Sequence, residues 1–127
     1  MRVMLMIKGD PEPGAAPSKE LLSAMGRYND ELKEAGVLVD LAGLYPSGEG
    51  KRVRFSEGNR TVIDGSLAES KEAIAGYWIL QVKSMDEAIE WAKRLPFEAG
   101  GEPEAEGEME LRQLFELEEF GESPAVE

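Results

Sequence analysis

Residues 76–83 read GYWILQVK, and this stretch decides the fold because it is apolar on both sides. In an extended strand successive side chains point to opposite faces, so Tyr77 lies on one face and Trp78 on the other. Residues 2–8, RVMLMIK, repeat the pattern. Strands that are apolar on both faces need cover on both sides. The sequence therefore predicts a sheet with a covering layer on each of its two faces.

Two stretches have the apolar spacing of amphipathic helices. Ser18 is the predicted N-cap of the first, whose apolar residues recur every three or four positions until Gly36 ends it. Ser84 and Glu87 have the spacing of a capping box for the second helix, which Pro96 terminates.

The remaining elements complete a familiar order. Further strands are predicted at 37–44 and 109–117, and residues 51–64 are typical of a β-hairpin around a Gly-containing turn. Without that inserted hairpin the order is βαββαβ, an α+β fold of the ferredoxin-like type. We predict one such domain over residues 1–117, followed by an acidic, mobile tail at 118–127.

The sheet face away from the helices still needs cover. A second copy related by a two-fold axis is the simplest source, because a monomer rarely exposes an apolar patch of more than a few hundred Å². We therefore expect a homodimer with its sheets face to face. The alternative is that the tail folds back over the sheet through Phe115, Leu117 and Phe120.

Composition excludes several chemistries. The chain has no cysteine and no histidine, which removes disulfides, thiolate and imidazole metal sites, and the usual neutral-pH base; no metal or other cofactor is predicted. The net charge is −12, which argues against nucleic-acid binding. Because no apolar run is long enough for a membrane span and the start does not resemble an export signal, we expect a cytoplasmic protein.

Carboxylates are the first candidates for a site in a chain without histidine. Asp64 and Gly65, followed by Ser70, Lys71 and Glu72, form the densest polar cluster. They can enclose a pocket at the end of the sheet, or they can be ordinary turn residues that bond local backbone. Asp40 interrupts an apolar strand. It is either partly buried there or turned to solvent at an edge or bulge.

The chain resembles the YCII-related family, in particular its DGPF-type members. The likeness covers about residues 2–115 and lies in VMLMIKGD (3–10), MGRYNDELKEAGVL (25–38), GLYPSGEGKRVRF (43–55) and the stretch 62–96. The name-giving Asp-Gly-Pro-Phe reads Asp-Gly-Ser-Leu at 64–67, so the loop lacks the stiffening proline and the aromatic ring.

The resemblance implies a dimeric α+β barrel with a site around the Asp-Gly loop. The residues that match the family's loop and flanking motifs are Asp64, Gly65, Ser70, Lys71, Glu72, Tyr28, Pro46 and Ser47. Some relatives carry a His–Asp pair linked to dehydrochlorination-type lyase chemistry, which this chain cannot perform without a histidine. Members of the branch are often associated with extracytoplasmic-function sigma factors, which implies a regulatory or accessory role.

The leading hypothesis is a homodimeric domain that binds a small molecule in a pocket between its sheets. Asp64 is its anchoring acceptor or base, and Lys71 and Arg52 bind an anionic group. Tyr28 and Ser47 position the ligand. One rival is a lyase or isomerase with Asp64 or Asp40 as the base. The other is a regulatory protein that touches a sigma factor or its regulator through the acidic tail.

Overall fold

The computed structural model describes residues 1–9, 17–65, 73–100 and 107–120. Within these ranges the chain forms six strands and two helices. Their bounds are β1 (Arg2–Lys8), α1 (Lys19–Glu34), β2 (Leu38–Gly43), β3 (Lys51–Ser56), β4 (Asn59–Asp64), β5 (Ile74–Gln81), α2 (Met85–Lys93) and β6 (Met109–Gln113). Short 3-10 turns follow at Ser47–Glu49, Phe97–Gly100 and Leu117–Phe120.

Strands β2, β5, β1 and β6 lie side by side in that order, and every neighbouring pair is antiparallel. We call this the main sheet. Its order and the two helices confirm the predicted ferredoxin-like α+β fold. The last strand is shorter than predicted: Gln113 pairs with Val3, near the start of β1, so few partner residues remain for a longer β6.

Both helices begin at the predicted caps. The Ser18 hydroxyl accepts a hydrogen bond from the backbone N–H of Leu21 at 3.1 Å, and Ser84 does the same for Glu87 at 3.1 Å. These bonds satisfy N–H groups that lack a partner inside the helix. The Glu87 carboxylate bonds the N–H of Lys83 at 2.8 Å, one residue before the N–H that a capping box would use. Gly36 follows α1 with φ +74°, as expected for a glycine that ends a helix.

The helices pack on one face of the main sheet and form the core there. Val3, Leu5 and Leu80 on that face are fully buried, as are Leu32 of α1 and Ala88 of α2. Alternation along the strands turns the intervening side chains to the opposite face, which we call the open face. Met4, Met6, Tyr77 and Ile79 lie there half-buried.

The part of the tail that the structure describes does not cover the open face. Phe115, Leu117 and Phe120 are all mostly exposed to solvent, so the fold-back alternative is not realised by these residues. Residues 121–127 lie outside the described residues. Within the described ranges, neither helix has the length and apolar character needed to cross a bilayer.

Strands β3 and β4 form the predicted hairpin, which has its own two-stranded sheet. Six residue pairs run in register from Lys51–Asp64 to Ser56–Asn59. Apart from the half-buried Ile63, every residue in the two strands is exposed. In the described part of the chain the hairpin therefore stands apart from the core.

Replacing Leu32 with alanine tests the core. This side chain is 0% exposed in the helix–sheet interface, and truncating such a leucine lowers the free energy of unfolding by about 2–5 kcal/mol. Leu22→Ala in the same helix is the matched control, because Leu22 is 57% exposed and its truncation should cost well under about 1 kcal/mol. Urea unfolding measures both. Equal losses of unfolding free energy in the two variants would contradict the finding that α1 packs on the sheet through the face that carries Leu32.

Candidate functional site on the open sheet face

Side chains from all four strands of the main sheet meet on the open face. Its floor is apolar and half-buried, and its rim is polar or charged at both edge strands. The floor consists of Met4, Met6, Ile79 and Ala42. The rim consists of Asp40 and Tyr77 toward the β2 edge, and Glu110, Arg112 and Lys8 toward the β6 edge.

A β-bulge delivers Asp40 to this face. Strict alternation from the core residue Leu38 would point Asp40 into the core as well. Instead the register shifts between Leu38 and Asp40, so that Leu38 pairs with Leu80 and Asp40 pairs with Ile79. The extra residue is Val39. Asp40 is thus exposed at a bulge in an edge strand, which is the solvent-facing alternative of the sequence analysis.

Asp40 and Tyr77 form a hydrogen-bonded pair across β2 and β5. The Tyr77 hydroxyl donates to Asp40 Oδ2 at 3.3 Å, while Asp40 Oδ1 accepts from the backbone N–H of Leu41 at 2.9 Å. The negative charge of Asp40 is the main cause of a raised pKa for Tyr77, with desolvation and the hydrogen bond adding to it. The phenol is therefore held protonated as a donor beside a carboxylate acceptor.

The opposite edge of the face carries an ion-pair network. Glu110 accepts from Arg112 at 3.1 Å and from Lys8 at 3.2 Å. These two hydrogen bonds, with Arg112 the larger contributor, lower the pKa of the Glu110 carboxyl. The network leaves Arg112 largely exposed, so cationic groups border the apolar floor on the side away from Asp40.

Asp64, the leading candidate from the sequence, lies on the hairpin rather than on this face. Its side chain is 74% exposed and pairs with Lys51 Nζ at 2.8 Å. Gly65 follows with φ +105°, a backbone conformation suited to glycine. Ser70, Lys71 and Glu72 lie outside the described residues, so the polar cluster around this loop stays a prediction.

Arg52 and Ser47 also belong to the hairpin and its approach. Arg52 is exposed in β3, where it pairs with Ile63 of β4. Ser47 begins the 3-10 turn before β3, and its backbone carbonyl accepts the N–H of Gly50 at 3.0 Å. Their roles in binding a ligand stay predictions.

Tyr28 lies on the far side of the main sheet from the open face. It is 3% exposed, and its ring meets Trp78 edge-to-face with 5.7 Å between centroids. Its hydroxyl donates to the backbone carbonyl of Trp91 at 2.8 Å, which ties α1 to α2. Desolvation is the main cause that raises the pKa of Tyr28 to about 12. Because the sheet separates it from the open face, Tyr28 does not line a pocket between two sheets, contrary to our expectation.

The contact between Tyr77 and Asp40 was not predicted from the sequence. Tyr77 was placed on the correct strand face, but Asp40 was left open between a partly buried position and an edge or bulge. The register shift at Val39 decides that the two side chains share one face. Glu110 and Lys8 were likewise missed as a pair because they are 102 positions apart in the chain.

The structure also has a cavity that none of the predicted site residues line. A mostly apolar cavity of about 330 Å³ lies on the helix side of the sheet, lined by residues that include Ile89, Leu95, Phe97 and Leu111. Among residues 1–9, 17–65, 73–100 and 107–120, no group of three acidic side chains is arranged to hold a metal ion.

The sequence of the chain matches a known protein family. Residues 1–116 match the YCII-related domain, which covers nearly all of the chain. An uncharacterised protein of Rhizobium meliloti (strain 1021) is 39% identical over 62 residues, which amount to 49% of this chain and 50% of that protein. The match thus spans half the length of that relative.

The buried phenol of Tyr28 predicts a loss of stability at alkaline pH. Its pKa is about 12 in the folded chain against an ordinary value of 10.0. A raised pKa means that the contribution of Tyr28 is complete below pH 10 and is lost as the pH rises from 10 towards 12. Urea unfolding at pH 8 and pH 11 should show a smaller alkaline loss for Tyr28→Phe than for the unmodified chain.

Tyr45→Phe is the control for this measurement, because Tyr45 is 83% exposed. It should retain the alkaline loss of the unmodified chain. The same loss in all three proteins would mean that the Tyr28 hydroxyl does not resist ionisation.

Proposed function

The chain belongs to the YCII-related domain family, and from that premise we propose that it works as a homodimer that binds a small molecule between two facing sheets. The observation that carries the proposal is the hydrogen-bonded pair of Asp40 and Tyr77 at the border of an apolar sheet face. The sheets would form a dimeric α+β barrel.

The dimer explains the composition of the open face. Met4, Met6 and Ile79 occupy the middle of a sheet, yet on this face they lack a second layer of structure in the described chain. Contiguous apolar surface on a protein usually marks a binding surface. A two-fold axis places the same floor on both sides, so each copy covers the other.

The Asp40–Tyr77 pair gives the pocket its polar end. Ligand pockets combine a mainly apolar lining with a few placed polar groups that fix orientation. Here the carboxylate accepts and the phenol can donate or accept, while Arg112 offers a cation at the other edge. The arrangement suits a small molecule with an apolar body, a hydrogen-bonding group at one end and an anionic group at the other.

We place Asp40 rather than Asp64 at this site. Asp64 is largely exposed and already paired with Lys51, and it stands on the hairpin outside the main sheet. A role for Asp64, Arg52 or Ser47 in this pocket would require the hairpin of the partner copy to reach the open face of this copy. Ser70 and Lys71 lie outside the described residues.

An enzyme of the lyase or isomerase type is the second candidate. The same pair favours it, since a carboxylate base beside a phenol donor can remove a proton and stabilise the charge that develops. Exclusion of water strengthens the electrostatic interactions of such a base. Asp40 is exposed in the described part of the chain, so the partner's sheet would provide this shielding. Association with a sigma factor stays a prediction from the family resemblance.

Ile79→Asp tests the dimer. A carboxylate in the middle of the apolar floor would be buried without a partner if two floors pack together. The unmodified chain should sediment mainly as a dimer at about 10 μM, as it would with a Kd of about 1 μM or below, and Ile79→Asp as a folded monomer. Leu22→Asp, on the exposed side of α1, is the control and should remain dimeric. A monomeric unmodified chain would contradict the proposal.

Ligand binding is tested by a thermal-shift screen of small anionic and hydroxylated metabolites. A ligand at 100 times its Kd stabilises the folded state by about 2.7 kcal/mol, which raises Tm by several degrees. Asp40→Asn and Tyr77→Phe should abolish the shift with little change in the unliganded Tm, because each substitution changes one polar group and keeps the shape of the side chain.

Asp64→Asn serves as the control in the same screen and should keep the shift. The reverse result, in which Asp64→Asn loses the shift and Asp40→Asn keeps it, would move the site to the Asp-Gly loop. It would contradict the assignment of Asp40.

A further inference from the structure

The hairpin is regular although no layer covers it in the described chain. Its two strands keep six pairs in register, yet an isolated two-stranded hairpin is only marginally stable in water. The exposed row on one of its faces is apolar. Val53, Val62 and Phe55 on that face are each more than half exposed, and the Arg60 guanidinium lies over the Phe55 ring at 5.1 Å.

The hairpin is also positively charged in an acidic protein. Residues 51–64 contain four basic and two acidic side chains, while the whole chain has a net charge of −12. Arg52 and Arg54 project from the face opposite Phe55. On the face of Phe55 the apolar strip is accompanied by the Arg60 guanidinium and by the Lys51–Asp64 ion pair.

A second exposed apolar surface of opposite charge follows β6. Residues 114–120, which we call the C-terminal segment, expose Phe115, Leu117 and Phe120 together with glutamates. The rings of Phe115 and Phe120 lie 5.1 Å apart. Beside them is a pocket of about 180 Å³ lined by Gln113, Leu114, Phe115 and Glu119. Phe115 gives this pocket an aromatic wall and Glu119 gives it a carboxylate. An aromatic side chain with a neighbouring cation, such as Phe55 with Arg60, is complementary to it in polarity and charge.

The topology keeps these two surfaces apart within one chain. The hairpin is inserted between Gly43 and Ile74, at the end of the main sheet where β1 finishes. The C-terminal segment leaves β6 at the opposite end, where Leu114 bonds the backbone carbonyl of Arg2 at 2.9 Å and Glu116 pairs with its guanidinium at 3.2 Å. The two surfaces also adjoin opposite edge strands, β2 and β6.

We propose that the hairpin of one copy docks on the C-terminal segment of a second copy, with Phe55 seated beside Phe115. The inference rests on the homodimer proposed above. Two-fold symmetry makes the contact occur twice, once for each hairpin. Apolar burial supplies the affinity, and the opposite charges of the two surfaces orient them and select the partner.

Site-specific cross-linking tests this contact cleanly because the chain has no cysteine of its own. Val62→Cys and an affinity-tagged Leu117→Cys chain are co-expressed and treated with a short bismaleimide reagent. Thiols held together in a complex react at an effective concentration of about 1 mM, so at about 10 μM protein the tagged–untagged product should form roughly a hundredfold faster than by collision. Ser23→Cys on the exposed side of α1 replaces Val62→Cys as the control.

Sedimentation of the same samples separates this inference from the homodimer itself. A dimer that cross-links no faster than the Ser23→Cys control would overturn the hairpin contact and leave the sheet-to-sheet dimer standing. Rapid cross-linking of Val62→Cys with itself would also overturn it, because the hairpins would then pack on each other. A monomer would overturn both. Preferential Val62–Leu117 product in a dimer supports the inference.

Discussion

The pairing of β1 with β5 is the constraint on which the rest of the molecule depends. These two central strands are apolar at successive positions, so alternation sends half of their side chains into the helix-covered core and half to the open face. Val3, Leu5 and Leu80 are fully buried on one side. Met4 and Ile79 are half-buried on the other. The buried core and the apolar open face therefore arise from the same two strands.

The edge strand β2 shows how a small irregularity creates a chemical site. One extra residue at Val39 changes the phase of the strand, so Leu41 enters the core while Asp40 turns to the open face. Gly76 opposite β2 has no side chain to obstruct the approach, since a Cβ there would lie 2.8 Å from the carbonyl oxygen of Ala42. Together these features bring a carboxylate within hydrogen-bond distance of Tyr77.

Polar residues in this protein have sharply different roles according to their side of the sheet. The Tyr28 hydroxyl of α1 donates to a backbone carbonyl of α2. The Trp78 indole N–H donates to Asn29 Oδ1 at 2.8 Å in the same helix–sheet interface. Such buried groups need partners because an unpaired one would lose its hydrogen bond to water. Tyr77, one residue before Trp78, faces outward and keeps its hydroxyl beside a carboxylate that solvent can reach.

Local patterns in the sequence determined the elements, their order and the fold class, because periodicity, caps and turn residues act over a few positions. Ser18 and Ser84 cap the starts of the two helices, and Gly36 follows the end of the first, where these rules expect them. The tertiary structure alone decided which polar residues meet: the Asp40–Tyr77 pair depends on strand register, and the Lys8–Glu110 pair joins distant parts of the chain. It also decided that Tyr28 faces the core, since a helical period identifies an apolar face but not the side of the sheet on which a ligand would lie.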